Sequence, residues 1–248
     1  MHEVPNPIAC PACPLQACPG LRELEPRQLQ FMQEFKDGEV LLDRGDTLIR
    51  EGARHTRLYT VLDGVLIRSR SLADGRRQIV NFMFPGDLVG LQSAFDEPSS
   101  HTIEALIDAR LCRFQRSDFT KLITEHPSLG YDLTWLAAKE ETALEGHIVS
   151  LGQRSARERV TYLAVWLLMR AEATCLSLEG GRVALPITQA QIADMLGLSL
   201  VHTNRTIRQL DREGLVEWKS REIRVPNVDA AADYAHFDRE SEACRPFI

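Results

Sequence analysis

Nowhere does this 248-residue chain carry an apolar run long enough to span a bilayer. The longest, residues 163–169, is far short of the roughly 20 apolar residues a membrane helix needs. The chain begins Met-His-Glu-Val-Pro-Asn-Pro, with no basic stretch leading into an apolar one, so no secretory signal is expected. Both absences predict a cytoplasmic protein with no membrane partner, in a compartment that keeps thiols reduced. The six cysteines are therefore read as metal, redox or packing residues rather than as a disulfide framework. A Gly-rich phosphate loop, a nucleophile elbow and a His-Glu metal motif are also missing, so no enzyme is indicated.

Positive charge is scarce as well, with a net charge of −6, which at first sight argues against a nucleic-acid partner. Its distribution argues otherwise. Residues 154–225 hold eleven Arg/Lys against eight Asp/Glu, while the rest of the chain holds eighteen against twenty-seven. An acidic body joined to a mildly basic reader suits DNA binding, because only the reader must meet phosphates.

Residues 1–20 are rich in Pro and Cys, have no period, and read as an irregular arm; a short helix is expected within 21–35. Glycines 52, 64, 75 and 86 then recur every eleven or twelve residues between short strand-like runs at 58–62, 64–70, 78–84 and 111–114. Asp63-Gly64 and Asp74-Gly75 are hairpin dipeptides, and the spacing predicts an antiparallel sandwich or jelly roll. Beyond Arg116 the pattern turns helical. Leu133, Ala137, Leu144 and Leu151 lie at spacings of four and seven, with Glu140 and His147 between them. A long helix of this kind packs on its own domain or on a two-fold partner; the partner reading is preferred, because DNA readers commonly need two copies.

Thr188-Gln-Ala-Gln191 fits a capping box that opens a short helix, and Gly197 supplies a turn. Ser199 caps a second helix on which Leu200, Thr203, Ile207 and Leu210 are expected to face inward. His202, Arg205, Gln209 and Arg212 lie opposite, with Arg208 at the flank. Residues 215–218 and 222–225 form a wing hairpin through Lys219-Ser-Arg221. This is a winged helix-turn-helix, against the plainer reading of a helical hairpin that merely packs.

The stretch Thr188-Gln-Ala-Gln-Ile-Ala-Asp-Met-Leu-Gly-Leu-Ser199 and the helix after it resemble the CRP/FNR family of transcription regulators. Leu58-Tyr-Thr-Val-Leu-Asp-Gly64 and Phe84-Pro-Gly-Asp-Leu-Val-Gly90 are similar to that family's β-roll motifs, so the resemblance covers nearly the whole chain. It implies an α+β fold: an antiparallel β-roll (jelly-roll) sensor, a long dimerisation helix and a C-terminal winged helix-turn-helix. The corresponding segments are an arm with a short helix at 1–27, the sensor at 28–124, the dimerisation helix at 125–153, the reader at 154–236 and a tail at 237–248. The implied partners are a palindromic double-stranded DNA site, a second copy of the chain, and RNA polymerase.

The family's Glu-x-x-Ser-Arg recognition pattern falls here on Val201, Asn204 and Arg205. Arg205 keeps the arginine that reads guanine; Asn204 suits an adenine or a phosphate; Val201 suits a thymine methyl. Ser199, His202 and Arg208 join them as candidate contacts, and Lys219 and Arg221 on the wing as phosphate contacts. The Glu and Arg by which some members bind cyclic AMP are replaced by Leu91 and approximately Ser99, which argues against that ligand. Cys10, Cys13 and Cys18, each followed by Pro, form a C-x2-C-x4-C arrangement, one residue shorter than the best-known pattern. Cys112 occupies a position similar to the fourth ligand of FNR-type oxygen sensors. The implied cofactor is a 4Fe–4S cluster on Cys10, Cys13, Cys18 and Cys112. A zinc ion on the same ligands, a thiol or small-ligand sensor without a cluster, and a ligand-binding module that never meets DNA are the alternatives. Cys175 and Cys244 have no partner at ligand spacing. Cys175 is read as a buried or loop cysteine, and Cys244 as part of a disordered tail.

Overall fold

The computed structural model describes residues 1–91, 97–238 and 244–248. Nine strands make up its first half: β1 (His2–Glu3), β2 (Lys36–Leu42), β3 (Thr47–Ile49), β4 (Arg57–Asp63), β5 (Leu66–Ser71), β6 (Arg77–Met83), β7 (Leu88–Val89), β8 (Thr102–Ala105) and β9 (Ala109–Gln115). They pair antiparallel into two sheets, β1-β2-β9-β4-β7 and β3-β8-β5-β6. Val40, Tyr59, Val61, Leu66, Ile103 and Leu111 fill the space between the sheets. The run at 58–62 is buried on both faces, which is why apolar residues on either side of Thr60 do not alternate with exposed polar ones. Tyr59 and Val61 point into the roll, whereas Leu58 and Leu62 join Cys112 and Phe114 in a second core outside it.

That second core lies under the arm. The arm forms two 3-10 turns, Cys10–Ala12 and Pro14–Ala17, each with a proline in its first two positions. Leu15, Cys18, Leu21 and Leu24 anchor it against α1 (Pro26–Phe35), whose N-terminus carries a Glu25/Gln28 capping box. The arm is thus irregular, as expected, but docked. Next come α2 (Phe119–Glu125) and the long α3 (Pro127–Gln153).

In the second half, α4 (Ala156–Ala173) is opened by a Ser155/Glu158 capping box and carries the chain's longest apolar run. Two short strands, β10 (Ser177–Leu178) and β11 (Arg182–Val183), lead to α5 (Gln189–Leu196) and α6 (Leu200–Arg212). The wing strands β12 (Glu217–Trp218) and β13 (Ile223–Arg224) complete a β10-β11-β13-β12 sheet, and α7 (Val228–Tyr234) follows. Phe82 and Phe84 of the roll share one apolar cluster with Leu163 and Trp166 of α4 and Met195 and Leu196 of α5. Each such side chain contributes roughly 1.5–3 kcal/mol on burial, so sensor and reader are held by a common core. At its edge Arg77 bridges Asp194 at 3.1 Å and Gln78 Nε2 donates to the Met195 carbonyl.

The tail departs from its sequence reading. Residues 244–248 run back to the sensor, where Arg245 pairs backbone hydrogen bonds with Gly20 and Arg22. Phe247 and Ile248 are buried in the core beneath the arm. A short Arg-Pro-Phe-Ile segment carries no period that would announce this docking. Asp87, wholly buried, ties the three parts together: its carboxylate accepts from Arg170 of α4 at 2.7 Å, Arg245 of the tail at 2.8 Å and the Phe84 amide. The two guanidinium groups overcome the cost of burial and hold its pKa below the ordinary aspartate value.

Candidate DNA-reading surface and cysteine site

The helix-turn-helix is locally specified. Thr188 accepts from the Gln191 amide while Gln191 reaches back, closing the capping box of α5. Gly197 ends that helix at φ +62°, a left-handed conformation glycine adopts without strain. Ser199 then caps α6 by accepting from the His202 amide. Thr203, Thr206, Ile207 and Leu210 form the buried face of α6. Leu200, expected on that face, is 54% exposed because it sits in the first turn, ahead of the packing against α5. His202, Arg205 and Arg208 are exposed, and among the described residues none of the three has an ion-pair partner. Among the described residues Val201 is the most exposed large apolar side chain, at 81%. Asn204 is half-buried and donates to Gln189 of α5 at 2.7 Å, so it must release that bond to read a base. On the wing, Lys219 and Arg221 are exposed at the turn, with Lys219 only 3.5 Å from Glu217.

The four candidate ligands do not converge as one set. Cys10, Cys13 and Cys112 line a small apolar cavity of about 20 Å³ with Met32, Thr60, Phe114, Phe247 and Ile248. Cys18 does not line it; its thiol lies beside that of Cys175, and the two interact. Among the described residues no three His, Cys, Asp or Glu side chains already stand at metal-ligand spacing. Burial raises the pKa of Cys10, Cys13 and, to about 12, Cys112. Lys36 works against that rise in all three. Burial opposes the charge on Lys36, yet Cys112, Glu39 and Cys10 together hold its pKa above the usual value. Its ammonium donates to the Ile8 carbonyl at 2.7 Å and pairs with the buried Glu39. Lys36 escaped the sequence reading, since one lysine at a strand start gives no signal of burial. Lys36 favours thiolates, but it is already paired with Glu39, which raises the pKa of the same thiols. The cavity has room for about one water, so the sulfurs would have to move apart for an iron–sulfur group to sit among them.

Residues 39–126 match the Cyclic nucleotide-binding domain family, and residues 162–233 the Crp-like helix-turn-helix domain family. The nitrogen fixation regulation protein FixK of Bradyrhizobium diazoefficiens is 32% identical over 86% of this chain and 87% of its own. The chain belongs to the CRP/FNR family of transcription regulators. The transcriptional activator protein FnrL of Cereibacter sphaeroides is 27% identical over 87% of each chain. The solved structure of FixK2 from Bradyrhizobium japonicum superposes with a TM-score of 0.68 at 28% identity, covering 82% of this chain and 98% of that one. As a member of the CRP/FNR family it is a DNA-binding regulator and not an enzyme.

Two other features of this CRP/FNR chain bear on function. The inward side of α3 carries Leu133, Glu140 and His147, residues whose heptad spacing suits a partner seam. Leu133 joins the core under the arm, Glu140 binds Arg68 and Asn81 of the roll, and His147 packs edge-on against Tyr162 and Trp166. The outward side instead exposes Tyr131, Ile148 and Val149. A cavity of about 470 Å³ between roll and α3 is lined by Arg68, Leu91, His101 and Glu140, among others. Its Arg68 cation is already matched by Glu140.

Proposed function

We propose that this chain is a cytoplasmic, homodimeric regulator that binds a palindromic promoter site and responds to oxygen or redox state through a 4Fe–4S cluster. One observation carries the sensing half: Cys10, Cys13 and Cys112, from two distant segments, share an apolar cavity beside the buried Lys36. Cys10, Cys13, Cys18 and Cys112 would hold the cluster, which would supply oxygen-labile iron–sulfur bonds when bound. Cys18 must turn from Cys175 to join the other three. Lys36, shared with Glu39, would partly offset thiolate charge, and Phe247 and Ile248 form part of the apolar lining.

In the reader, Arg205 pairs with guanine, Val201 meets a thymine methyl, and Asn204 takes an adenine or a phosphate. Ser199, His202 and Arg208 flank them; Lys219 and Arg221 hold phosphates. The outward side of α3, with Tyr131, Ile148 and Val149, packs against its copy, placing two readers on half-sites about 34 Å apart. RNA polymerase is the partner of the DNA-bound dimer. Cyclic AMP is not its effector, because a phosphate entering the roll cavity must compete with Glu140 for Arg68.

The test is anaerobic purification with a visible spectrum and iron and sulfide assays. Wild type is expected to absorb broadly and lose colour, iron and sulfide in air, and Cys112→Ser to be colourless from the start. A colourless wild type containing zinc or no metal moves sensing to the thiols and leaves the DNA-reading assignment standing.

A further inference from the structure

The arm and the reader meet at a second pair of sulfurs. The Cys18 thiol is near enough to that of Cys175, which follows the end of α4, for the two to interact. The backbones here are clamped as well: the Gly20 amide donates to the Ala173 carbonyl at 2.9 Å. Contact is so close that a Cβ at Gly20 would come within 2.4 Å of the Ala173 Cβ. Cys175 ends α4 in the left-handed region at φ +62°, with the Leu176 amide donating back to the Ala171 carbonyl. Glycine is the usual residue at this position of a helix end; any other costs about 1–2 kcal/mol. The two thiols also differ in access, Cys175 being exposed and Cys18 buried.

We infer that Cys18 and Cys175 are a redox-active dithiol that closes to a disulfide, a covalent clasp between the sensor arm and the reader. The oxidant class is a hydroperoxide, which reaches the exposed partner first. The Cys175 sulfur forms a bond to a peroxide oxygen as the O–O bond breaks, giving a sulfenic acid and one water. The Cys18 sulfur then displaces the hydroxyl of that sulfenic acid; an S–S bond forms, the S–O bond breaks, and a second water leaves. Two thiols lose two electrons and two protons, and hydrogen peroxide becomes two waters. In a reducing compartment such a bond is transient, which suits a signal rather than a staple. The clasp also takes Cys18 away from Cys10, Cys13 and Cys112, a consequence that rests on the cluster reading; the clasp itself does not.

The experiment uses the full chain, purified anaerobically, as wild type and Cys175→Ser. Each is treated with a small excess of hydrogen peroxide, alkylated, digested without reductant and mapped by mass spectrometry. A peptide linking Cys18 to Cys175, lost on dithiothreitol treatment and absent from Cys175→Ser, is the expected result. Cys175 found only as sulfinic or sulfonic acid, Cys18 joined to Cys10 or Cys13, or no linked peptide overturns the inference. Loading with iron and sulfide separates the two readings. Oxidised wild type is expected to remain colourless until reduced, while peroxide-treated Cys175→Ser loads after the same reagent is removed. If no form ever loads, the cluster reading fails while the peptide map still decides the clasp.

Discussion

Every side chain assigned to DNA lies between Ser199 and Arg221, most of them pointing outward, whereas the cysteine site draws on the arm, α1, two strands and the tail and points inward. The reader works by leaving polar groups accessible on a rigid local frame. The sensor works by closing separate pieces of chain over a few sulfurs. Changes in the first should alter DNA contacts and spare stability; changes in the second should alter packing and the response without touching a DNA contact. The contrast can be attacked from either side.

The largest effect is expected at Asp87. Asp87→Ala leaves Arg170 and Arg245 facing one another without their shared carboxylate, and should cost about 3–5 kcal/mol in denaturant unfolding. A loss below about 1 kcal/mol would show that roll, reader and tail do not depend on this node. Acid should act next. Burial lowers the pKa of His147 to about 4, and burial with the nearby Arg68 lowers that of His101 to about 4. Both are neutral when folded but take up protons near pH 6.5 when unfolded, so stability is lost as pH falls from about 6.5 towards 4. Each contributes up to about 3 kcal/mol to that loss. Unfolding midpoints across this window should fall less steeply in His147→Gln; an unchanged slope would rule out His147 as a source. The smallest effects on the fold, and the most selective on function, belong to the reader. Arg205→Ala should weaken operator binding by about 1–3 kcal/mol at an unchanged unfolding midpoint. Lys219→Ala should weaken all DNA alike and lower the salt slope by about 1. Sequence preference altered by Lys219→Ala but not by Arg205→Ala would exchange their roles.

The same contrast explains which features are legible in the residues themselves. The Thr188/Gln191 box, the Gly197 turn and the Ser199 cap are local hydrogen-bond devices, so their residues announce them. The glycine-spaced strands of the roll declare themselves for the same reason. Long-range choices do not. Glu140 and His147 fit a partner seam by period, yet Arg68 from the roll and Trp166 from α4 claim them. The burial of Lys36 depends on Glu39 and Cys112, and the neighbour of Cys18 comes from the far side of the chain. Cysteine spacing alone groups Cys18 with Cys10 and Cys13, because spacing measures distance along the chain and not across it.

The tail that covers the cysteine cavity also sets an order in time. Phe247 and Ile248 are translated more than 230 residues after Cys10 and Cys13. At 5–20 residues per second the first thiols exist for roughly 10–50 s before their cover can be made. During that interval even a finished roll leaves the sulfurs open on one side. Whatever is to be delivered to them meets its widest entrance before those two side chains dock, and thereafter is left with the side on which Cys10 and Cys13 stay partly exposed.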